Sequence, residues 1–150
     1  QQINEINHLN PIMPLVFLGY GLGAGGFALF FGGGLKEGVI AAIIGFLMYF
    51  FIWINESLKI NALMRTTLTS MFLTALSIIF YHFKMINNLD ATIIGCLMIL
   101  TPGIAITNSL RDIIDGNYVS GQARLVEAFF IATAIALGGG LMRILMKGMI

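Results

Sequence analysis

The sequence predicts an all-α integral membrane bundle of five transmembrane helices, with the fourth helix interrupted at a Pro-Gly pair. Three observations predict it. The chain is 58% hydrophobic and 10% charged, with a mean hydropathy of +0.92, whereas a soluble domain carries about 25% charged residues. Its apolar residues come in long runs of the length a membrane helix needs, roughly 20 residues. Period-2 alternation is absent and the runs are too long for barrel strands, which leaves helices as the spanning element.

The five runs follow in order. The first extends from about Ile12 to Phe31 and the second from about Gly38 to Ile54. The third extends from about Met64 to Tyr81, the fourth from about Ala91 to Thr107 and the fifth from about Leu125 to Leu145. Short polar breaks separate them: Lys36 and Glu37; Asn55, Glu56 and Lys59; then Lys84, Asn87, Asn88 and Asp90. No break holds a soluble domain, so residues 1–150 form a single transmembrane domain. Tyr49, Trp53, Tyr81 and Tyr118 fall near run ends, where interfacial aromatics belong. Tyr20 lies inside a run and is expected to face another helix.

An odd number of spans puts the termini on opposite sides. With the N-terminus cytoplasmic, the inner loops hold Lys59, Arg65, Arg111 and Arg124, and the outer loops hold Lys36 and Lys84. Arg143 and Lys147 lie in the tail, and the positive-inside bias favours this orientation only when the tail is discounted. The opening QQINEINH lacks Met and also lacks the pattern of a signal peptide. It implies that part of the protein precedes Gln1.

Composition excludes several functions. Net charge is +1 and no basic run exists, so nucleic acid is not a partner. Cys96 stands alone in an apolar run and reads as a buried, inert thiol. His8 and His82 are isolated, no cluster has metal spacing, and no cofactor is expected. Gly21, Gly23 and Gly26 fit the G-x-G-x-x-G dinucleotide pattern, but that motif works only between a strand and a helix. Here Gly19 with Gly23, and Gly21 with Gly25, have the small-xxx-small spacing that lets helix backbones approach. Gly32 to Gly34 and Gly138 to Gly140 are expected at flexible or closely packed helix ends.

The densest polar chemistry is TPGIAITNSLRDIIDGNYVSGQARLVEA, Thr101 to Ala128. Pro102 removes a backbone donor and its ring clashes with the preceding turn; Gly103 loosens the helix further. The break frees carbonyls near Met98 and Ile99, and such a break at membrane depth is tolerated only against protein or a water-filled cavity. Asn108, Arg111, Asp112 and Asp115 then recur at i, i+3, i+4 and i+7, one stripe of a helix, with Ile106, Leu110, Ile113 and Ile114 opposite. Asp115-Gly116-Asn117 reads as a helix stop, Ser120 as the N-cap of the fifth helix, and Arg124 and Glu127 as an i, i+3 pair. Ionisable groups beside a broken membrane helix mark a substrate pathway.

This stretch, followed by an alanine- and glycine-rich helix, resembles the threonine/serine exporter family. Pro102, Gly103, Asn108, Arg111, Asp112, Gly116, Ser120, Gly121, Arg124, Glu127 and Ala128 carry the resemblance in order, and GAGGFALFFGGG in the first helix extends it over the chain. The chain departs from the family's usual Gly-Asp at Gly116-Asn117. The resemblance implies a secondary exporter of a bacterial inner (plasma) membrane, multi-pass, with its N-terminus cytoplasmic. Its substrates would be small amino acids such as threonine and serine, or small dicarboxylates such as succinate. The chain is similar to the membrane half of the longer subunit of such exporters, and the resemblance implies that a soluble N-terminal region precedes Gln1. It would act as half of a ten-span transporter, completed by a second five-span subunit or by another copy of itself.

In that frame Pro102, Gly103, Thr107, Asn108, Arg111, Asp112 and Arg124 are the candidate substrate-binding residues. An arginine holds the substrate carboxylate by paired hydrogen bonds, while Asn108, Thr107 and the freed carbonyls take the amino or hydroxyl group. Asp112, Asp115 and Glu127 are candidate proton carriers, and rocking about the glycine-rich helices gives alternating access. The rival is a non-transporting membrane scaffold that docks a partner through the Arg/Asp-rich stretch. An enzyme is disfavoured, because Ser120 has no histidine near it in sequence.

Overall fold

The computed structural model describes residues 13–56 and 60–149, apart from the side chains of Met13, Pro14, Trp53, Asn55 and Glu56. The expectations for His8, Lys59 and the Trp53 side chain lie outside those residues. The described chain is helical, without strands: α1 Met13–Phe30, α2 Leu35–Glu56, α3 Ala62–His82, α4 Leu89–Met98, α5 Gly103–Ile114 and α6 Tyr118–Leu145, then a 3-10 turn at Lys147–Met149.

Helix starts and stops follow local chemistry. The Asn61 side chain accepts from Leu63 N at 3.2 Å at the start of α3, and that of Asn88 accepts from Ala91 N at 3.1 Å at the start of α4, each satisfying a first-turn donor. α3 and α5 close with the same cap. Met85 N donates to Phe80 O (3.1 Å) and Lys84 N to Tyr81 O (2.8 Å) after α3; Asn117 N donates to Asp112 O (2.8 Å) and Gly116 N to Ile113 O (3.1 Å) after α5. Both are Schellman motifs, which place one residue in the left-handed region. That residue is Gly116 (φ 86°) in one and Lys84 (φ 56°) in the other.

α1 to α4 enclose the core, around Ala24, Ala28, Ile44, Met48, Leu73, Ile78 and Cys96. Close backbone approach makes this packing possible. A Cβ on Gly25 would lie 2.7 Å from Gly38 O, and one on Gly95 would lie 2.6 Å from Ala28 N. The Gly21–Gly25 spacing thus seats α1 on α2, and Gly23 faces Ile99 after α4, while Gly19 meets nothing. Tyr20 is half-buried beside Tyr49 of α2, ring centroids 6.0 Å apart, as expected for an aromatic inside a run. Hydroxyls on α3 fold back on their own helix, for example Ser77 Oγ to Leu73 O at 2.9 Å, which lets polar side chains lie in an apolar core.

The outside is apolar: Leu15, Phe30, Leu35, Val119, Phe129 and Ile144 are all exposed. A surface of this kind suits lipid rather than water. Three helices are long and apolar enough to cross a membrane, at Leu35–Ile52, Ala62–His82 and Tyr118–Leu145. The pair Leu89–Met98 and Gly103–Ile114, bent by 52°, makes a fourth if it is one span. The apolar stretch Leu15–Phe30 is shorter than these. Among the described residues the chain is therefore all-helical with three to four candidate spans.

The start of the last helix differs from the expectation. The fifth run was placed from Leu125, yet α6 begins at Tyr118. The Schellman turn at 115–117 reverses the chain and the helix restarts at once, so its polar first turns are helix rather than loop. Ser120 is therefore inside α6 and does not cap it; Asn117 holds the N-cap position, without a side-chain bond.

Candidate functional site

α6 positions the site. It runs parallel to α3 and in step with it: Gly138 lies against Thr67 and Ser70, Gly139 against Thr74, and the His82 ring Nδ1 is 3.3 Å from Met149 O just beyond α6. Ala62, where α3 begins, is thus level with the middle of α6. Roughly the first three turns of α6 run past the start of α3, and there the helix packed on them is α5. At 28 residues, α6 is about 42 Å long, more than the roughly 30 Å of a hydrocarbon core.

α5 reaches this position through the bend. α4 ends at Met98, and α5 starts at Gly103 with Pro102 as a cap lacking a side-chain bond. The Met98 carbonyl is not left free, since Thr101 N (3.3 Å) and Thr101 Oγ1 both donate to it. That revises the expectation of an open carbonyl at Met98: a threonine of the connecting turn satisfies it. From Gly103 the chain enters an antiparallel hairpin with α6. Gly121 is the contact point, because a Cβ there would come within 2.5 Å of Ile113 Cγ1 and 2.8 Å of Ser109 O. Ser109 is fully buried under it, its hydroxyl donating to Ile106 O at 2.7 Å.

This hairpin has two unlike faces. On one, the half-buried Asp112 Oδ2 accepts from Ser120 Oγ at 3.4 Å and lies 3.5 Å from Arg124 Nη1. Ser120, Arg124 and Glu127 share one face of α6 at i, i+4 and i+7. Arg111, Asp115 and Asn108 are exposed on α5 on the stripe that Asp112 borders. The expected i, i+3 pairing of Arg124 with Glu127 is replaced by the cross-helix pair to Asp112. On another side of α5, Ile106, Leu110 and Ile114 are exposed.

The predicted site residues divide accordingly. The fold brings Asp112 and Arg124 together. It leaves Asn108, Arg111, Asp115 and Glu127 exposed, without a hydrogen-bond or ion-pair partner among the described side chains. Thr107 is exposed, and its hydroxyl donates to Gly103 O at 3.0 Å, so its lone pairs are what it can offer. Pro102 is half-buried and Gly103 exposed at the bend. Among the described elements, no helix other than α6 packs closely on α5. Among the described residues there is also no cluster able to hold a metal ion.

One ionisable residue escaped the sequence reading. Glu37, taken as part of a polar break, is buried at the start of α2. Its Oε1 accepts from Asn87 N at 2.7 Å and Asn88 N at 3.2 Å, while Asn88 Nδ2 reaches Gly32 O at 3.5 Å. This clasp ties the α1–α2 turn to the α3–α4 turn at the end of the bundle away from the hairpin tip. The donors are backbone amides, which carry no side-chain signal in a sequence.

Comparison with known proteins returned one finding. A family model described as "Putative threonine/serine exporter" matches residues 1–146. No curated protein matched, and no solved structure matched.

Proposed function

The chain belongs to the threonine/serine exporter family, a family of membrane transporters rather than enzymes, and from that premise we propose that its α5–α6 hairpin is the substrate-handling element of half an exporter. The observation that carries the reading is the polar face of the hairpin: Asp112, Arg124 and Ser120 joined across two helices, with the uncommitted Arg111 and Asn108 alongside. In an otherwise lipid-compatible surface, such a face calls for a second polar surface to enclose it. A five-span partner or a second copy of the chain would supply it, turning an open face into a water-lined path between two halves of five spans each. The five-span count takes α1 as a span and α4 with α5 as one span interrupted at Pro102-Gly103.

The chemistry follows from which groups are free. Arg111, with no partner of its own, takes the substrate carboxylate. Asn108 and the lone pairs of Thr107 meet the amino or hydroxyl group of threonine or serine. Gly103 N donates to Thr101 O at 2.8 Å, which leaves the Ile104 and Ala105 amides of the first turn of α5, at the positive end of its dipole, to favour an anionic group. A proton arriving on Asp112 would neutralise it and release Arg124, so Asp112 couples protonation to the geometry of the face. Asp115 and Glu127 stand nearer the rim as relay carboxylates. With the N-terminus cytoplasmic, the hairpin tip faces the cytoplasm and receives substrate there. Succinate is the dicarboxylate alternative, with Arg124 holding the second carboxylate once released.

The test is efflux of labelled threonine and of succinate from vesicles holding the chain with its completing half. Arg111→Ala and Asp112→Asn are each expected to lose most of the flux while remaining correctly inserted. Wild-type rates in both variants would remove the hairpin from the substrate path.

A further inference from the structure

At the clasped end of the bundle, the α3–α4 turn and the residues after α6 border an open cavity of about 470 Å³, lined by Tyr81, His82, Lys84, Ile86, Asn87 and Met149. A neighbouring cavity of about 360 Å³ shares Tyr81 and Asn87 and extends to Asp90 and Arg143. There Arg143 Nη1 and Asp90 Oδ1 neutralise each other at 2.7 Å. The larger cavity has no such balance. Among the described residues, the Lys84 ammonium, the Asn87 side-chain amide and the Tyr81 hydroxyl have no hydrogen-bond or ion-pair partner, and no carboxylate lines it. The His82 Nδ1 faces Met149 O at 3.3 Å, an arrangement that suits Nδ1–H, so Nε2 adds a further donor only when the ring is protonated. Among the described residues the lining thus carries one unpaired cation, two unpaired polar groups able to donate, and no anion.

A second observation concerns Lys84 itself. Among the described residues it is the one non-glycine with positive φ, 56°. It fills the cap position that Gly116 fills after α5, where glycine carries no steric cost. A lysine held in an unfavourable conformation on the lining of a cavity with unpaired polar groups points to a ligand rather than to the cap.

We propose that this cavity is an anion site for a phosphate group, supplied by the headgroup of an anionic phospholipid or by free phosphate. Lys84 provides the charge, and Asn87 and Tyr81 provide directed donors. Its rim favours the lipid source. Phe83 and Met85 are 70% and 49% exposed beside it, at the ends of membrane-compatible helices, where headgroups lie.

The test uses the full chain in detergent. Retained lipid is read by native mass spectrometry, with phosphatidylglycerol against phosphatidylcholine, and the unfolding midpoint is read with each lipid and with inorganic phosphate. Phosphatidylglycerol is expected to be preferred and to raise the midpoint. In Lys84→Gly the preference should fall about fivefold, the contribution of one lysine at an anionic surface. The lipid-free protein should be no less stable than the wild type, because glycine suits the cap. Asn87→Ala, whose backbone amide still reaches Glu37, should weaken retention less. A midpoint raised by phosphate and unaffected by phosphatidylglycerol assigns the site to a soluble anion. Equal retention of the two lipids with no phosphate effect, or an undiminished preference in Lys84→Gly, overturns the proposal.

Discussion

Glu37 and Asp112 are both carboxylates in an apolar helix bundle, but Glu37 is buried against two backbone amides that a distant turn supplies, whereas Asp112 is partly open and held by two side chains of the next helix. Backbone donors are fixed by the fold and do not leave when conditions change. Side-chain donors can rotate away. The first arrangement suits an end of the bundle that stays shut, the second a place where a substrate or proton competes for the same groups. A polar residue in a membrane protein is thus informative through the kind of partner it has, and not only through its presence.

The largest effect is expected from breaking the shut end. Glu37→Ala removes two backbone hydrogen bonds to a charged carboxylate, from Asn87 N and Asn88 N, and bonds to charged groups contribute about 1.5–3 kcal/mol each. The melting temperature in detergent should fall steeply, and Glu37→Gln, which keeps one acceptor oxygen, should fall less. An unchanged melting temperature in Glu37→Ala would erase the contrast between the two ends. Gly121→Val comes next. Its side chain collides with Ile113 and Ser109 O, and overpacking of this kind costs about 1–3 kcal/mol. It should part the hairpin and abolish flux, while a disulfide engineered elsewhere between α3 and α6 still forms. Retained flux would mean that hairpin geometry does not matter to transport.

How much of this could be seen in the sequence depends on the range of the interaction. The bend between Met98 and Gly103 and the stripe of Asn108, Arg111, Asp112 and Asp115 are legible because they are local and stand out against an apolar background. The Gly21–Gly25 contact was legible for the same reason. The clasp was not, because Glu37 finds its donors fifty residues away, at backbone positions any residue could provide. Nor was the partner of Arg124. Spacing along one helix suggested Glu127, whereas the choice of Asp112 depends on Gly121 bringing α5 close enough. The apolar run from Leu125 starts seven residues after α6 does, because the first two turns of the helix are polar and hydropathy does not mark them.

The two Schellman caps allow a smaller and sharper comparison. Gly116→Ala puts a Cβ in the left-handed region, at a cost of roughly 1–2 kcal/mol, and should lower the melting temperature modestly. Lys84→Gly removes the same kind of strain and should raise it or leave it level. Opposite signs for one motif at two ends would show that the lysine is kept at a cost to stability. A fall in both would show that Lys84 packs in some way its conformation does not reveal.

The smallest stability effect belongs to the pair at the centre of the proposed site. Arg124 and Asp112 are 3.5 Å apart, with side chains 54% and 26% exposed, and solvent-exposed pairs contribute about 0.2–1 kcal/mol. A double-mutant cycle with Arg124→Ala and Asp112→Ala should return a coupling within that range by thermal or chemical unfolding. The same cycle read by threonine efflux should be far from additive, because either single change already disables the face and the second has little left to remove. The cycle thus separates what holds the hairpin together from what the hairpin does. Gly121 and the buried Ser109 hold it together, and the ion pair is free to open. A coupling of several kcal/mol in stability, with additive effects on efflux, would reverse the assignment and make the pair a structural strut.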